Sequence, residues 1–88
     1  MSTKEEVEES YIVYTYVLGF RLYLSIMGGF SGGTYNYIWD REIRSSRDFV
    51  TKGEAEGHGK SAVEQNRQAN GVYVVKKLTH RDGMIELK

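Results

Sequence analysis

The chain has 88 residues, enough for one small domain and too few for two. Twelve Lys and Arg balance twelve Asp and Glu, so the formal charge is zero and the pI is near 6.7, which argues against a generic polyanion binder. A hydrophobic fraction of 40%, with seven Tyr, three Phe and one Trp, argues against disorder, and the absence of Cys removes disulfides, thiolate metal sites and a cysteine nucleophile.

The first ten residues set Lys4 against Glu5, Glu6, Glu8 and Glu9. A secretory signal needs a basic start before an apolar run, and here the order is reversed. Residues 1–10 read as an acidic, flexible N-terminal arm, and residues 11–88 as a single α+β domain. The stretch from Tyr11 to Met27 is mostly apolar, but Arg21 interrupts it, leaving ten uncharged residues before that charge. A spanning helix needs about 18 or more. The expectation is a protein without a membrane segment, located in the cytoplasm (host cytoplasm if viral).

The same stretch is rich in Tyr, Val, Ile, Leu and Phe, which favours strand over helix. Ile12, Tyr14, Tyr16 and Leu18 alternate against Tyr11, Val13, Thr15 and Val17. Beyond Gly19, Phe20, Leu22, Leu24 and Ile26 alternate against Arg21, Tyr23, Ser25 and Met27. The pattern predicts one long strand, bulged or bent at Gly19. A helix over residues 7–18, with the glutamates near its start, is the second choice. Residues 28–33, Gly-Gly-Phe-Ser-Gly-Gly, read as a flexible connector. Residues 34–44 alternate again, Ser45-Ser46 reads as a turn, and residues 47–50 read as a short optional strand carrying Phe49 and Val50 inward.

Thr51-Lys52-Gly53-Glu54 matches the capping box, in which a threonine hydroxyl and a glutamate each satisfy a free backbone N–H. It predicts a helix to about Ala69, closed by Asn70-Gly71. The apolar stripe is thin (Ala55, Ala62, Val63, Ala69), and Gly53, Gly57 and Gly59 each cost up to ~1 kcal/mol relative to Ala. Residues 72–78 read as a strand, residues 79–83 as a turn using Asp82-Gly83, and residues 84–87 as a last strand. The predicted fold class is α+β: a small single domain with an antiparallel sheet of four to five strands and one helix packed on a face, in the order β-β-(β)-α-β-β. The run Phe49-x-Thr51-x-x-Glu54-Ala55 after a Tyr-x-Trp strand resembles the strand-to-helix entry of HicB-type antitoxins. The start of such modules has no counterpart here, and the resemblance implies no residue's role.

Catalytic motifs are missing. There is no Gly-x-Gly-x-x-Gly; Gly57-His58-Gly59-Lys60-Ser61 has the ending of a Walker loop, but Glu54 stands where its first glycine belongs. His58 and His80 are the only histidines, too few for a structural zinc site. Asp40, Glu42 and Asp48 lie among Arg41, Arg44 and Arg47 and read as surface ion pairs. The sequence therefore predicts no catalytic residues, metal or cofactor.

Tyr35, Tyr37, Trp39 and Arg41 share one face of a strand. Their first reading is packing beneath the helix; the second is a partner-binding patch; the third is a nucleic-acid platform on which bases stack. We expect a non-enzymatic protein-binding protein, of the kind phages and mobile elements use as anti-defence or anti-CRISPR-like inhibitors that occupy the surface of a larger complex. Its contact residues would be Tyr35, Tyr37, Trp39, Arg41, Arg44 and Arg47. A nucleic-acid module would add Lys76, Lys77, His80 and Arg81 to the same strand. A homodimeric structural subunit would pair through the exposed edge of the Tyr11 to Met27 strand.

Overall fold

The computed structural model describes residues 7–88. Its elements are β1 (Val7–Val17), β2 (Phe20–Ser31), β3 (Thr34–Asp40), a 3-10 turn (Ile43–Ser45), α1 (Lys52–Gln65), β4 (Ala69–His80) and β5 (Ile85–Leu87). The strands form one five-stranded sheet in the order β3-β2-β1-β4-β5, with every neighbour antiparallel. The α+β class, the single helix and the antiparallel sheet are as expected. No helix among the described residues is long and apolar enough to cross a membrane.

Residues 11–27 are not one bent strand. Val17 pairs with Phe20, and Leu18-Gly19 between them have φ of +51° and +86°. Two successive left-handed residues make a tight type I′ hairpin turn, whose twist matches that of the flanking strands. Strand alternation runs unbroken on both sides, so periodicity alone does not distinguish a bend from a reversal. The neighbouring glycine run is not a connector throughout. β2 continues through Gly28 and Gly29, across a register shift between Met27 and Phe30, and only Gly32-Gly33 turn, with φ of +61° and +86°.

Residues 1–6 of the expected arm lie outside the described residues, whereas residues 7–10 belong to β1 and pair with residues 77–80. β3 stops at Asp40, whose carboxylate accepts the Glu42 N–H at 2.8 Å as the chain turns away. Residues 47–50 form no strand of their own. Phe49 makes a single bridge to Tyr11 through two 2.8 Å hydrogen bonds, and the Arg47 N–H reaches the Leu24 carbonyl at 2.6 Å. The segment thus sits beside β1 just beyond the stretch, Tyr14 to Val17, that pairs with β2.

α1 begins where the capping motif places it: Thr51 Oγ1 accepts the Glu54 N–H at 3.1 Å. It ends at Gln65, four residues early, because Ala69 and Asn70 are already paired with Val17 and Tyr16 of β1. Gly71, expected as a helix cap, instead has φ of +83° at a β4 bulge, and its carbonyl accepts the buried Thr15 hydroxyl at 2.6 Å. Ala55, Gly59 and Ala62 are the buried face of α1. They meet Val13, Leu24 and Phe49, with Tyr11, Met27, Tyr37, Trp39 and Val74 packed around. On the opposite sheet face, Lys77 Nζ donates to Asp48 Oδ1 at 2.7 Å and to Ser46 Oγ at 3.5 Å. These bonds draw the residue 41–50 loop toward that face.

Candidate functional site

The six expected contact residues do not form one surface. Tyr37 and Trp39 pack against the core cluster beneath α1, in keeping with the first reading of that strand; Tyr35, on the same side, remains more exposed. The Arg41 guanidinium lies 4.4 Å from the centroid of the Phe20 ring, at the far end of β2. Arg44 is the middle residue of the 3-10 turn, and Arg47 is exposed in the loop beyond it.

The expected basic edge is also divided. Lys76 and Lys77 are consecutive strand residues and so point to opposite faces. Lys76 pairs with Glu9 at 3.4 Å, and Lys77, buried, pairs with Asp48 at 2.7 Å. His80 pairs with Glu86 at 3.1 Å, and exposed Arg81 lines a shallow groove with Glu8. In the strand order β1 and β2 are interior, pairing with each other over Tyr14–Val17 and Phe20–Tyr23, and β3 and β5 are outermost. Among the described residues, no group of three or more His, Cys, Asp or Glu side chains is placed to hold a metal ion.

What the fold does assemble is a row of tyrosines on the sheet face away from α1. Tyr23 of β2, Tyr14 of β1 and Tyr73 of β4 are direct cross-strand partners. The Tyr14 and Tyr73 rings stack with centroids 5.0 Å apart and 9° between planes, and Tyr23 lies 6.1 Å from Tyr14 on the other side. Tyr16 meets both Tyr14 and Tyr73 edge-on, at 5.8 and 5.5 Å. Arg21, directly opposite Tyr16, donates to its hydroxyl at 2.7 and 3.2 Å and lies 4.6 Å from the Tyr14 ring centroid. Hydrogen bonding to Tyr16 first and Tyr23 second pushes the Arg21 pKa above its ordinary value. Ile26 and Ile38 pair directly on the same face and continue the strip, at 47% and 54% exposure.

Alternation along the sequence groups Tyr14 with Tyr16 and Arg21 with Tyr23 but does not bring the two pairs together. The missing step was the turn: once Leu18-Gly19 reverses the chain, those two pairs face each other. A leucine in the left-handed region concealed it.

Comparison of the chain with protein-family models, with curated proteins and with solved structures returns no match.

Proposed function

We propose that the chain is a non-enzymatic protein-binding domain that acts as an inhibitor by occupying the surface of a larger partner, and that its contact surface is Tyr14, Tyr16 and Tyr73 with Arg21, backed by the buried Tyr23. The observation that carries this reading is the cross-strand order Tyr23–Tyr14–Tyr73 on a sheet face that α1 does not cover. Tyr and Arg dominate interface hot spots, because they contribute large contact area with little loss of rotamer freedom. Here the rings are already held against one another, and Arg21 is held by Tyr16, which lowers the ordering cost of docking. A nucleic-acid role has less support: Lys76 and Lys77 are occupied by carboxylates.

The test is affinity capture with the tagged chain, followed by titration of the captured protein. Tyr73→Ala and Arg21→Ala should each weaken the complex about tenfold or more, the range of an interface hot spot. Val50→Ser, at a position 84% exposed outside the row, should leave it unchanged. Retention of full affinity by both row variants overturns the choice of surface. Oligonucleotide binding that collapses between ~50 and ~200 mM salt would instead favour the nucleic-acid reading.

A further inference from the structure

A cleft of about 390 Å³ opens on the other side of the sheet, between α1 and the β2–β3 hairpin. Its walls are aromatic: Phe30 and Tyr35 from the hairpin, Tyr37 from β3 and His58 from α1. Centroids of touching rings are 4.9 to 6.3 Å apart and their planes are inclined by 60–66°, so the rings meet edge to face around an open cleft and not as a flat stack. The ring cluster is held from behind. His58 Nδ1 lies 3.1 Å from the Tyr37 hydroxyl, and the His58 ring stacks on buried Phe49 at 5.4 Å.

Two further features lie at the same place. Glu54 lines the cleft, and among the described residues its carboxylate takes part in no ion pair or hydrogen bond. Only half of the capping box forms: the Glu54 backbone N–H is bonded to Thr51, while the carboxylate makes no return bond. Gly53 and Gly57 also line the cleft, and a Cβ built on either meets no atom within 4 Å. Packing does not demand these glycines, and a helix pays for each in propensity. Their effect is to leave room in front of the rings.

We propose that this cleft binds a methylated organic ammonium cation, the trimethylammonium group shared by choline-type small molecules and trimethylated lysine. Ring faces attract a weakly hydrated cation within about 6 Å of their centroids, and aromatic enclosures recognise quaternary ammonium groups in this way. Glu54 supplies the opposite charge at the rim. A small metal ion is a poor fit, because one carboxylate and a set of ring faces offer too few oxygen donors. An anion would meet Glu54 and the negative faces of the rings. The cleft is on the opposite sheet face from the tyrosine row, and the proposal stands apart from that reading.

The experiment is an NMR titration of the full chain with choline and, in parallel, with 3,3-dimethyl-1-butanol, its uncharged isostere. Choline should shift the Tyr35, Gly57 and His58 signals and bind about tenfold more tightly than the alcohol, the upper end for a partly desolvated cation on aromatic rings. Glu54→Gln and Tyr35→Ala should each weaken choline binding by about threefold or more. Gly57→Leu should abolish it by filling the cleft, while the thermal midpoint stays the same or rises, since leucine is the better helix former. A peptide carrying trimethyl-lysine, set against the same peptide with unmodified lysine, separates the two sources of the group. No shifts with choline or with the trimethyl-lysine peptide, equal binding of choline and its isostere, or unchanged choline affinity in Gly57→Leu overturns the proposal.

Discussion

Gly57 and Gly59 are two residues apart in α1 and carry opposite requirements. A Cβ on Gly59 would lie 2.9 Å from both Val13 Cγ1 and Val72 Cγ1, and Val13 is completely buried. Branched side chains in a packed sheet cannot easily swing away, so overpacking of about 1–3 kcal/mol outweighs the ~1 kcal/mol gained in helix propensity. Gly59→Ala should therefore lower stability by about 1 kcal/mol or more, while Gly53→Ala should raise it by up to ~1 kcal/mol. Urea denaturation of the two variants checks both signs, and a more stable Gly59→Ala would contradict the packing argument. Leu18 gives a second test. It is 78% exposed and has φ of +51°, a conformation that costs an L-residue roughly 1–2 kcal/mol. Leu18→Asn creates the Asn-Gly pair that type I′ turns favour and should stabilise the hairpin by about 0.5–1 kcal/mol.

Among the elements, β3 presents the problem of a free sheet edge. An exposed edge strand is a template for pairing with another chain, and β3 carries exposed Ile38 and Tyr35. The C-terminal end of α1 covers part of that edge. Gln65 Oε1 accepts the Tyr37 N–H at 3.3 Å, and Gln65 Nε2 donates to the Tyr35 carbonyl. One side-chain amide thus stands in for one residue of a neighbouring strand. Gln65→Ala should cost about 1 kcal/mol in lost hydrogen bonds and increase concentration-dependent association in sedimentation velocity. An unchanged monomer fraction at high concentration would show that this edge is protected in some other way. None of this was legible beforehand: the helix was expected to run on to Ala69, which would leave Gln65 an interior position with no special role. The N-terminal end was legible, because Thr51 and Glu54 act through contacts three residues apart.

For the whole molecule, stability rests on two unequal packing layers. α1 covers one face through small residues, and the loop tied by Asp48 to Lys77 reaches the other. The shape is elongated, 53 × 28 × 18 Å. Trp39, the single tryptophan, packs against the main core cluster from β3. Its fluorescence therefore reports the β2–β3 side of the sheet, whereas far-UV circular dichroism reports α1 and all strands. A single cooperative unit makes the two urea transitions coincide. If Trp39 responded at a lower midpoint, the β2–β3 hairpin would be a separate, weaker unit.

The amino-acid sequence by itself determined the α+β class, the start of α1, the last two strands and the alternation that sorts side chains between sheet faces. Each follows from contacts between near neighbours or from the two-residue period of a strand. Tertiary structure decided the rest. Reversal at Leu18-Gly19 brought Tyr14 opposite Tyr23, and pairing of Ala69 and Asn70 with β1 ended α1 early. The crossing of α1 placed His58 and Glu54 beside Phe30 and Tyr35 in the cleft. Both candidate sites thus join residues far apart in the chain. Their proximity depends on strand order and helix placement, which are settled by packing over the whole domain and not by local preference.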